Sequence, residues 1–295
     1  MRPAPSVNTQ NNAHAGAAAV RLTTISLVGL IYCGALHAFE DVQQKTLVTV
    51  GQISLSADMS MAKAQHLALN EARAKAVERA GGIAIISGTL IRDSLMAGSF
   101  VETLAHGYII EERILGWESD WRAALDPQSP PIPLLKVRLK STVELPPQGF
   151  LRRDILHAHL EKPVYTASDT AQLTISADDD MHILIANYTI DDDIVPLYPN
   201  QFDTDNVLLK GTTVAIPDRS AGYDIQLTTN PDHQRHTEAF LVFGFPYDPT
   251  RPPPAWTTLF PPGQALDYAD FHRRLTKLPV HWMAEQVLVY EVSAP

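Results

Sequence analysis

The chain has 295 residues, which is enough for two ordinary domains. Its 23 Lys and Arg residues and 33 Asp and Glu residues give a formal net charge of −10, which argues against nonspecific nucleic-acid binding because that binding needs a cationic surface. Hydrophobic residues make up 45% of the chain, enough for a buried core. A single cysteine, Cys33, excludes a disulfide scaffold and a metal site built from several cysteines.

The amino terminus has the pattern of a secretory signal peptide. Arg2 and Arg21 precede a short apolar run over residues 22–36. Basic residues, a short apolar run and small residues at its end are typical of an export signal, and the run is shorter than the roughly 20 residues that span a bilayer. We predict export to the periplasm or outer cell envelope with cleavage after Ala38; cleavage after Ala35 or retention as an anchor are the alternatives.

Residues 39–148 predict a first domain in which one helix packs on a small sheet. Alternation of apolar and polar residues predicts three strands, over residues 45–56, 108–117 and 135–145. Gly51 interrupts the first strand and predicts a bulge or a close backbone approach.

The helix of this domain follows the first strand. Asp58 or Ser60 is its predicted N-cap, and Gly81-Gly82 is its predicted end. Alanine recurs along it every four residues, at Ala64, Ala68, Ala72, Ala76 and Ala80. Such a stripe lets a helix lie close to its partner. A second, shorter helix is predicted within residues 83–99.

The last strand of this domain carries a cationic row. Alternation places Lys136, Arg138 and Lys140 on its outward face. We interpret the three as candidate contacts for an anionic envelope polymer or an acidic partner. The alternative is a solvated strand face that resists edge-to-edge pairing.

Several stretches of the first domain are familiar in their order. They read LALNEARAKAVERAGG, ISGTLIRD, GYIIEERILGW and LLKVRLKSTVEL. In this order they resemble the amino-terminal domain of the flagellar assembly protein T, and also small bacterial envelope lipoprotein domains. The resemblance implies a domain of the bacterial envelope that works by contact.

A linker helix is predicted over residues 149–163. It would bring four apolar residues near one face, namely Leu151, Ile155, Leu156 and Leu160. His157 and His159 would then lie about 200° apart around the helix axis and could not share a metal ion.

Residues 164–295 predict a β-rich, sandwich-like module with a carboxy-terminal helix and strand, so the whole chain is α+β. Short strands are separated by the Asp-rich turns 178–180 and 191–193. Residues 238–245 predict a central strand from their apolar density. Residues 265–278 predict the helix, and residues 286–292 predict the closing strand.

The Asp-rich turns raise a calcium hypothesis, because carboxylate oxygens are calcium ligands. Their spacing matches no helix–loop–helix calcium loop, and aspartate is a common turn former. We predict no cofactor and leave open whether these turns bind calcium.

The segment 245–262 contains seven prolines with aromatic residues between them. Such a segment predicts either a docking surface or an ordered connection that covers a sheet edge. Tyr198 and Trp256 are the aromatic candidates for contact with a partner.

The second half also resembles a known family. Leu197-Tyr198-Pro199-Asn200 is followed by Gly211 and by Ile216-Pro217, and then by AFLVFGF, LDYADFHRRLTKL and VLVYEV. This order resembles an uncharacterised bacterial domain of exported or envelope proteins, which implies no catalytic residue.

The sequence predicts a noncatalytic, exported envelope protein with a structural or interaction role, in a surface appendage or secretion assembly. Its partners would be other envelope proteins or an anionic surface polymer, with peripheral membrane association as a further option. One alternative is a periplasmic small-ligand carrier or sensor with a pocket lined by Tyr188, Tyr198 and Phe243. The other is a hydrolase that uses Asp and His or a metal, although no nucleophile elbow, zinc-protease or phosphate-loop motif occurs.

Overall fold

Three antiparallel strands form the sheet that carries the first helix. The structure is a computed structural model that describes residues 43–57, 59–82, 106–123, 126, 128–229 and 235–294. The strands run in the order β1-β3-β2, with the bounds β1 (Gln44–Ser54), β2 (Tyr108–Arg122) and β3 (Ile132–Glu144). Helix α1 (Met61–Gly81) packs on one face of this sheet, mainly against β1 and β3. The predicted helix-on-sheet arrangement is confirmed.

The two ends of α1 are fixed as their sequence predicts. Ser60 is the N-cap, since its hydroxyl accepts a hydrogen bond from the backbone N–H of Lys63 at 3.2 Å. Gly82 has a φ of 69°, and its N–H donates to the carbonyl of Glu78. The alanine stripe between these ends is fully buried against the sheet.

Gly51 allows α1 to approach β1 closely. A Cβ at this position would overlap the carbonyl oxygen of Ala68 and would lie 2.6 Å from the backbone nitrogen of Ala72. The backbone of the helix therefore occupies the space that any larger residue would need. The predicted close approach is confirmed, and the small residues on both elements explain it.

The described residues of the second half form twelve further strands and two helices. The strands are β4 (Leu151–Arg152), β5 (Leu156–Leu160), β6 (Val164–Thr166), β7 (Thr170–Ala171), β8 (Leu173–Ala177), β9 (Met181–Tyr188), β10 (Ile194–Tyr198), β11 (Val207–Leu208), β12 (Thr213–Ile216), β13 (Ile225–Gln226), β14 (Arg235–Pro246) and β15 (Trp282–Ser293). The helices are α2 (Trp256–Leu259) and α3 (Tyr268–Leu275). The α+β, β-rich class predicted from the sequence is confirmed.

A seven-stranded sheet is the centre of this half. Its main path is β10-β9-β14-β15-β4, with β11 paired to β9 and β6 paired to β15. Strand β14 lies between β9 and β15, as its apolar density predicts. A separate three-stranded sheet, β12-β8-β5, contributes to the core on one side of it, which gives the predicted sandwich-like packing.

Both faces of the seven-stranded sheet are buried. Ile183, Ile185 and Phe240 pack in one core together with residues of β5 and β8. Leu184 and Leu241 alternate with them and pack in a second core that also contains residues of α1, β2, β3 and α3. Burial on both faces explains why β9 and β14 read as nearly continuous apolar runs.

The second core joins residues from both sides of the predicted domain boundary. Val77 of α1 and Ile109 of β2 belong to the same cluster as Phe243 of β14 and Phe271 of α3. The described residues all fall within one compact unit, Glu40–Pro295. The helix-bearing sheet and the β-rich module therefore share apolar packing.

The linker helix predicted over residues 149–163 is wrong, because this segment forms strands β4 and β5. The five residues Leu156–Leu160 alternate between buried and outward positions, and β5 pairs with β8. This period of two puts Leu156 and Ala158 in the core, which a helix could not do as well.

Several predictions fall outside the described residues. These are the signal peptide, its cleavage after Ala38 or Ala35, and the short helix within residues 83–99. Among the residues that are described, no helix combines the length and the apolar character needed to cross a membrane.

Substitution of Gly51 by alanine tests the close approach of α1. We expect Gly51→Ala to lower the free energy of unfolding by at least about 2 kcal/mol, because the new methyl group would push against the backbone of α1. Urea denaturation at neutral pH measures the change. Gly116→Ala in β2 is the matched control, since nothing lies within 4 Å of its Cβ position. Equal stability of the two variants would contradict the close approach.

Candidate functional site

The outward face of the helix-bearing sheet carries the cationic row predicted from the sequence. Leu135, Val137 and Leu139 of β3 are buried on the inner face, under α1. Arg138 and Lys140, which alternate with them, are exposed on the opposite face. The predicted alternation of β3 is confirmed.

Neighbouring strands add apolar and further cationic groups beside this row. In the antiparallel register, Val50 of β1 lies opposite Arg138, and Val48 lies opposite Lys140. Arg113 of β2 lies on the other side of Lys140. We call these five residues the outer-face patch. Val48 and Val50 are 47% and 41% exposed.

The cations of the outer-face patch differ from Lys136 in their pairing. Lys136 forms an ion pair with Asp120, and its hydrogen bond lowers the pKa of that carboxyl. Within the described part of the chain, Arg113, Arg138 and Lys140 have no carboxylate partner. The outer-face patch thus presents three cations that no carboxylate of the described residues pairs.

Tyr198 and Trp256 are buried, so they lack the exposed side chain that a contact with a partner needs. The hydroxyl of Tyr198 donates to the carbonyl of Asp205 at 2.6 Å, and burial raises the pKa of this phenol. Trp256 is 6% exposed and packs between Phe245 and Phe260. The Leu-aromatic-Pro-Asn stretch and the Pro-rich segment therefore use their aromatic residues for packing.

The three residues proposed to line one ligand pocket lie in two different cores. Tyr188 and Phe243 belong to the core shared with α1 and α3. Tyr198 belongs to the core between the two sheets of the sandwich. The seven-stranded sheet separates them, so they do not form a common pocket.

The Asp-rich turns are engaged in contacts within the protein. Asp179 forms an ion pair with Arg153 at 2.8 Å, and Asp180 accepts a hydrogen bond from the backbone N–H of Lys210 at 2.7 Å. Over the described ranges, no three or more His, Cys, Asp or Glu residues form a group that could hold a metal ion.

The two neighbouring histidines of the predicted linker helix lie in a strand. In strand β5, His157 and His159 occupy alternate positions and therefore lie on the same face, contrary to the prediction for a helix. His157 lies 3.3 Å from Asp178.

A buried ionic cluster lies between α1 and the β-rich module. Arg73 of α1 is 1% exposed and contacts two carboxylates. Its Nη2 lies 2.5 Å from Oε1 of Glu112 in β2 and 2.6 Å from Oδ2 of Asp192 in the turn after β9. Nε donates to Oε2 of Glu112 at 2.9 Å, and Nη1 donates to Oδ1 of Asp192 at 2.7 Å. Each carboxylate therefore binds two nitrogens of the guanidinium. The ring of Tyr268 lies 3.9 Å from the guanidinium carbon.

Tyr188 and His66 extend this ionic group through hydrogen bonds. Tyr188 donates its hydroxyl hydrogen to Oδ1 of Asp192 at 2.7 Å. Nε2 of His66 lies 2.7 Å from the same hydroxyl, and its Nδ1 lies 3.3 Å from the carbonyl of Ile190. We call Arg73, Glu112, Asp192, Tyr188 and His66 the Arg73 cluster.

Burial and charge act in opposite directions in the Arg73 cluster. Burial alone would raise the pKa of Asp192, but Arg73 outweighs it and holds this pKa below its usual value. Burial lowers the pKa of His66, although Asp192 partly opposes this effect. The two shifts thus favour the ionised form of Asp192 and the neutral form of His66.

The spacing of apolar residues along α1 carries a signal for the burial of Arg73. Arg73 follows Leu69 by four residues and precedes Val77 by four, so all three share one face of α1. An arginine between two apolar positions of a packed face is expected to be buried, and a buried arginine needs a carboxylate. Its partners come from distant segments, which spacing alone does not identify.

Removal of the guanidinium tests the Arg73 cluster. We expect Arg73→Met to lower the free energy of unfolding by about 3–5 kcal/mol, because Glu112 and Asp192 would lose their common cation. Arg79→Met, an exposed arginine of the same helix, is the control and should change stability by about 0.5 kcal/mol at most. Chemical denaturation at pH 7 measures both, and a similar loss in both variants would contradict this assignment.

The lowered pKa of His66 predicts a pH dependence of stability. Between the usual histidine pKa of about 6.5 and the lower folded value, the unfolded chain binds more protons, so the unfolding free energy falls as the pH falls. We expect His66→Gln to reduce this slope between pH 7 and pH 5 by up to about 1.4 kcal/mol per pH unit. Denaturation curves across this range measure the slope; an unchanged slope would contradict the prediction.

Part of the β-rich module matches a known protein family. A family model described as a domain of unknown function, DUF4384, matches residues 164–234, which include Asp192 and the Leu197–Asn200 stretch. No curated protein matches the chain. The chain therefore contains a region similar to this uncharacterised domain, as its sequence predicts.

Proposed function

We propose that this chain is an exported bacterial envelope protein that works by contact, with the outer-face patch as its binding surface and without catalysis. The observation that carries the proposal is the concentration of Arg113, Arg138 and Lys140 beside two exposed valines in a chain of net charge −10. Cations without carboxylate partners attract an anionic surface, and exposed apolar groups gain free energy when a partner covers them.

The sequence supports the envelope setting. The leader pattern over residues 1–38 supports export to the periplasm or outer envelope. The resemblance of the first domain to the flagellar assembly protein T domain supports a contact role in a surface appendage or secretion assembly. The match of residues 164–234 to an uncharacterised domain adds no reaction to this proposal.

The chemistry of the outer-face patch defines the partner. Three cations favour an acidic envelope protein or an anionic surface polymer, and the two valines favour a partner with apolar groups between its charges. Attraction between exposed charges is screened over about 10 Å at 0.1 M salt. Binding through this patch should therefore weaken as the salt concentration rises.

Cell fractionation tests the location. The full-length chain, expressed with a carboxy-terminal tag in a bacterium, should be recovered from the periplasmic or envelope fraction. Recovery from the cytosol alone would overturn the export proposal.

Charge reversal tests the surface. We expect Arg138→Glu together with Lys140→Glu to reduce retention of the full chain on immobilised envelope extract by about tenfold, because both attractive charges become repulsive. Lys210→Glu with Arg219→Glu is the control, since it makes the same change in net charge at exposed positions elsewhere. Retention is measured at low and high salt. Equal loss in the two double variants would assign binding to net charge and overturn the role of the patch.

A further inference from the structure

A cavity of about 350 Å³ lies beside the Pro-rich segment. Its apolar walls come from the end of β14, the loop after it, α2 and the turn after α3, through Pro246, Pro254, Leu259 and Val280. Its volume is within the range of small-molecule sites, which are mostly apolar with a few placed polar groups. We call it the proline-walled cavity.

A buried histidine of β9 lines this cavity. His182 is 5% exposed, and its Nδ1 lies 3.0 Å from Oδ1 of Asn206. Since Nδ2 of Asn206 donates to the carbonyl of Ile183, its Oδ1 is the acceptor and Nδ1 of His182 carries the hydrogen. Within the described residues no group hydrogen-bonds Nε2 of His182, which in the neutral ring remains an acceptor.

Most of the charged residues that line the cavity are cationic. Lys277 and His281 are exposed, and Lys277 has no carboxylate partner among the described residues. Arg251 is paired with Asp248 at 3.2 Å, and Asp248 is the one carboxylate among the described residues of the lining. A chain of net charge −10 thus presents two permanent cations and one anion around an apolar space.

We propose that the proline-walled cavity binds a small amphiphilic carboxylate. Its alkyl or aryl body packs against the prolines, Leu259 and Val280, and its carboxylate contacts Lys277 and Arg251. This site lies apart from the outer-face patch and gives the Pro-rich segment a role beyond connecting β14 to α3.

Three probes test separately the negative charge and the apolar body that we expect the site to require. Octanoate carries both a carboxylate and an alkyl chain, octanol lacks the charge, and inorganic phosphate lacks the apolar body. Isothermal titration of the full chain at pH 7 should give measurable binding of octanoate, binding of octanol about tenfold weaker, and no binding of phosphate. Absence of octanoate binding would overturn the proposal, as would octanol binding of equal strength.

Two variants locate the binding. Lys277→Glu should weaken octanoate about tenfold by charge reversal, whereas Lys210→Glu, an exposed lysine outside the lining, should leave it unchanged. Leu259→Trp should fill the cavity and abolish binding. Circular dichroism checks that each variant is folded.

The outcomes also separate this site from the proposed binding surface. Octanoate affinity that survives both Lys277→Glu and Leu259→Trp in folded protein would overturn the assignment to the proline-walled cavity. The double variant Arg138→Glu with Lys140→Glu should bind octanoate as the natural chain does, so failure of one proposal leaves the other standing.

Discussion

The fold depends on burying one guanidinium between two carboxylates from distant parts of the chain. Arg73 comes from α1, Glu112 from β2 and Asp192 from the turn between β9 and β10. An isolated buried charge costs several kcal/mol, so the buried guanidinium of Arg73 depends on the two carboxylates for its stability. The net gain from such a group over an apolar replacement is small, but the loss of one partner leaves a charge uncompensated, so the three residues tie α1 and β2 to the turn between β9 and β10.

The position of α1 on the first sheet determines which face of that sheet remains exposed to a partner. The inner face is covered by α1, whose small residues and Gly51 in β1 allow backbone-to-backbone approach. The alternation of β3 then requires Arg138 and Lys140 to face outward, next to Val48 and Val50 of β1. The outer-face patch is therefore a consequence of how the opposite face packs.

Sequence patterns within single segments predicted those features that depend on neighbouring residues. Alternation predicted β3, apolar density predicted the central place of β14, and the cap residues predicted both ends of α1. The segment Leu156–Leu160 was misread because five residues with leucines at both ends fit a helical face as well as a strand; pairing with β8 decides between them. Tyr198 and Trp256 were misread because an aromatic residue near prolines has the same sequence signature whether it packs inward or outward.

Contacts between distant segments could not be predicted in this way. The turn at residues 191–193 was correctly expected, yet nothing in it indicates that Asp192 would reach an arginine 119 residues earlier. The proline-walled cavity is a similar case, because Leu259, Lys277 and His182 converge only after β9 and β14 pair. Pairing of strands far apart in sequence is a property of the whole chain, and single-sequence patterns carry little information on it.

The region similar to the uncharacterised domain is not self-contained in this protein. Strand β9 lies within residues 164–234, but its partner β14 begins at Arg235, so this region alone would expose the backbone hydrogen-bonding groups of one edge of β9. Asp192 would likewise lose Arg73, and His182 would lose the Pro-rich wall across the cavity. The residues that complete each of these sites come from flanking segments. What such a domain binds is therefore expected to depend on the segments around it.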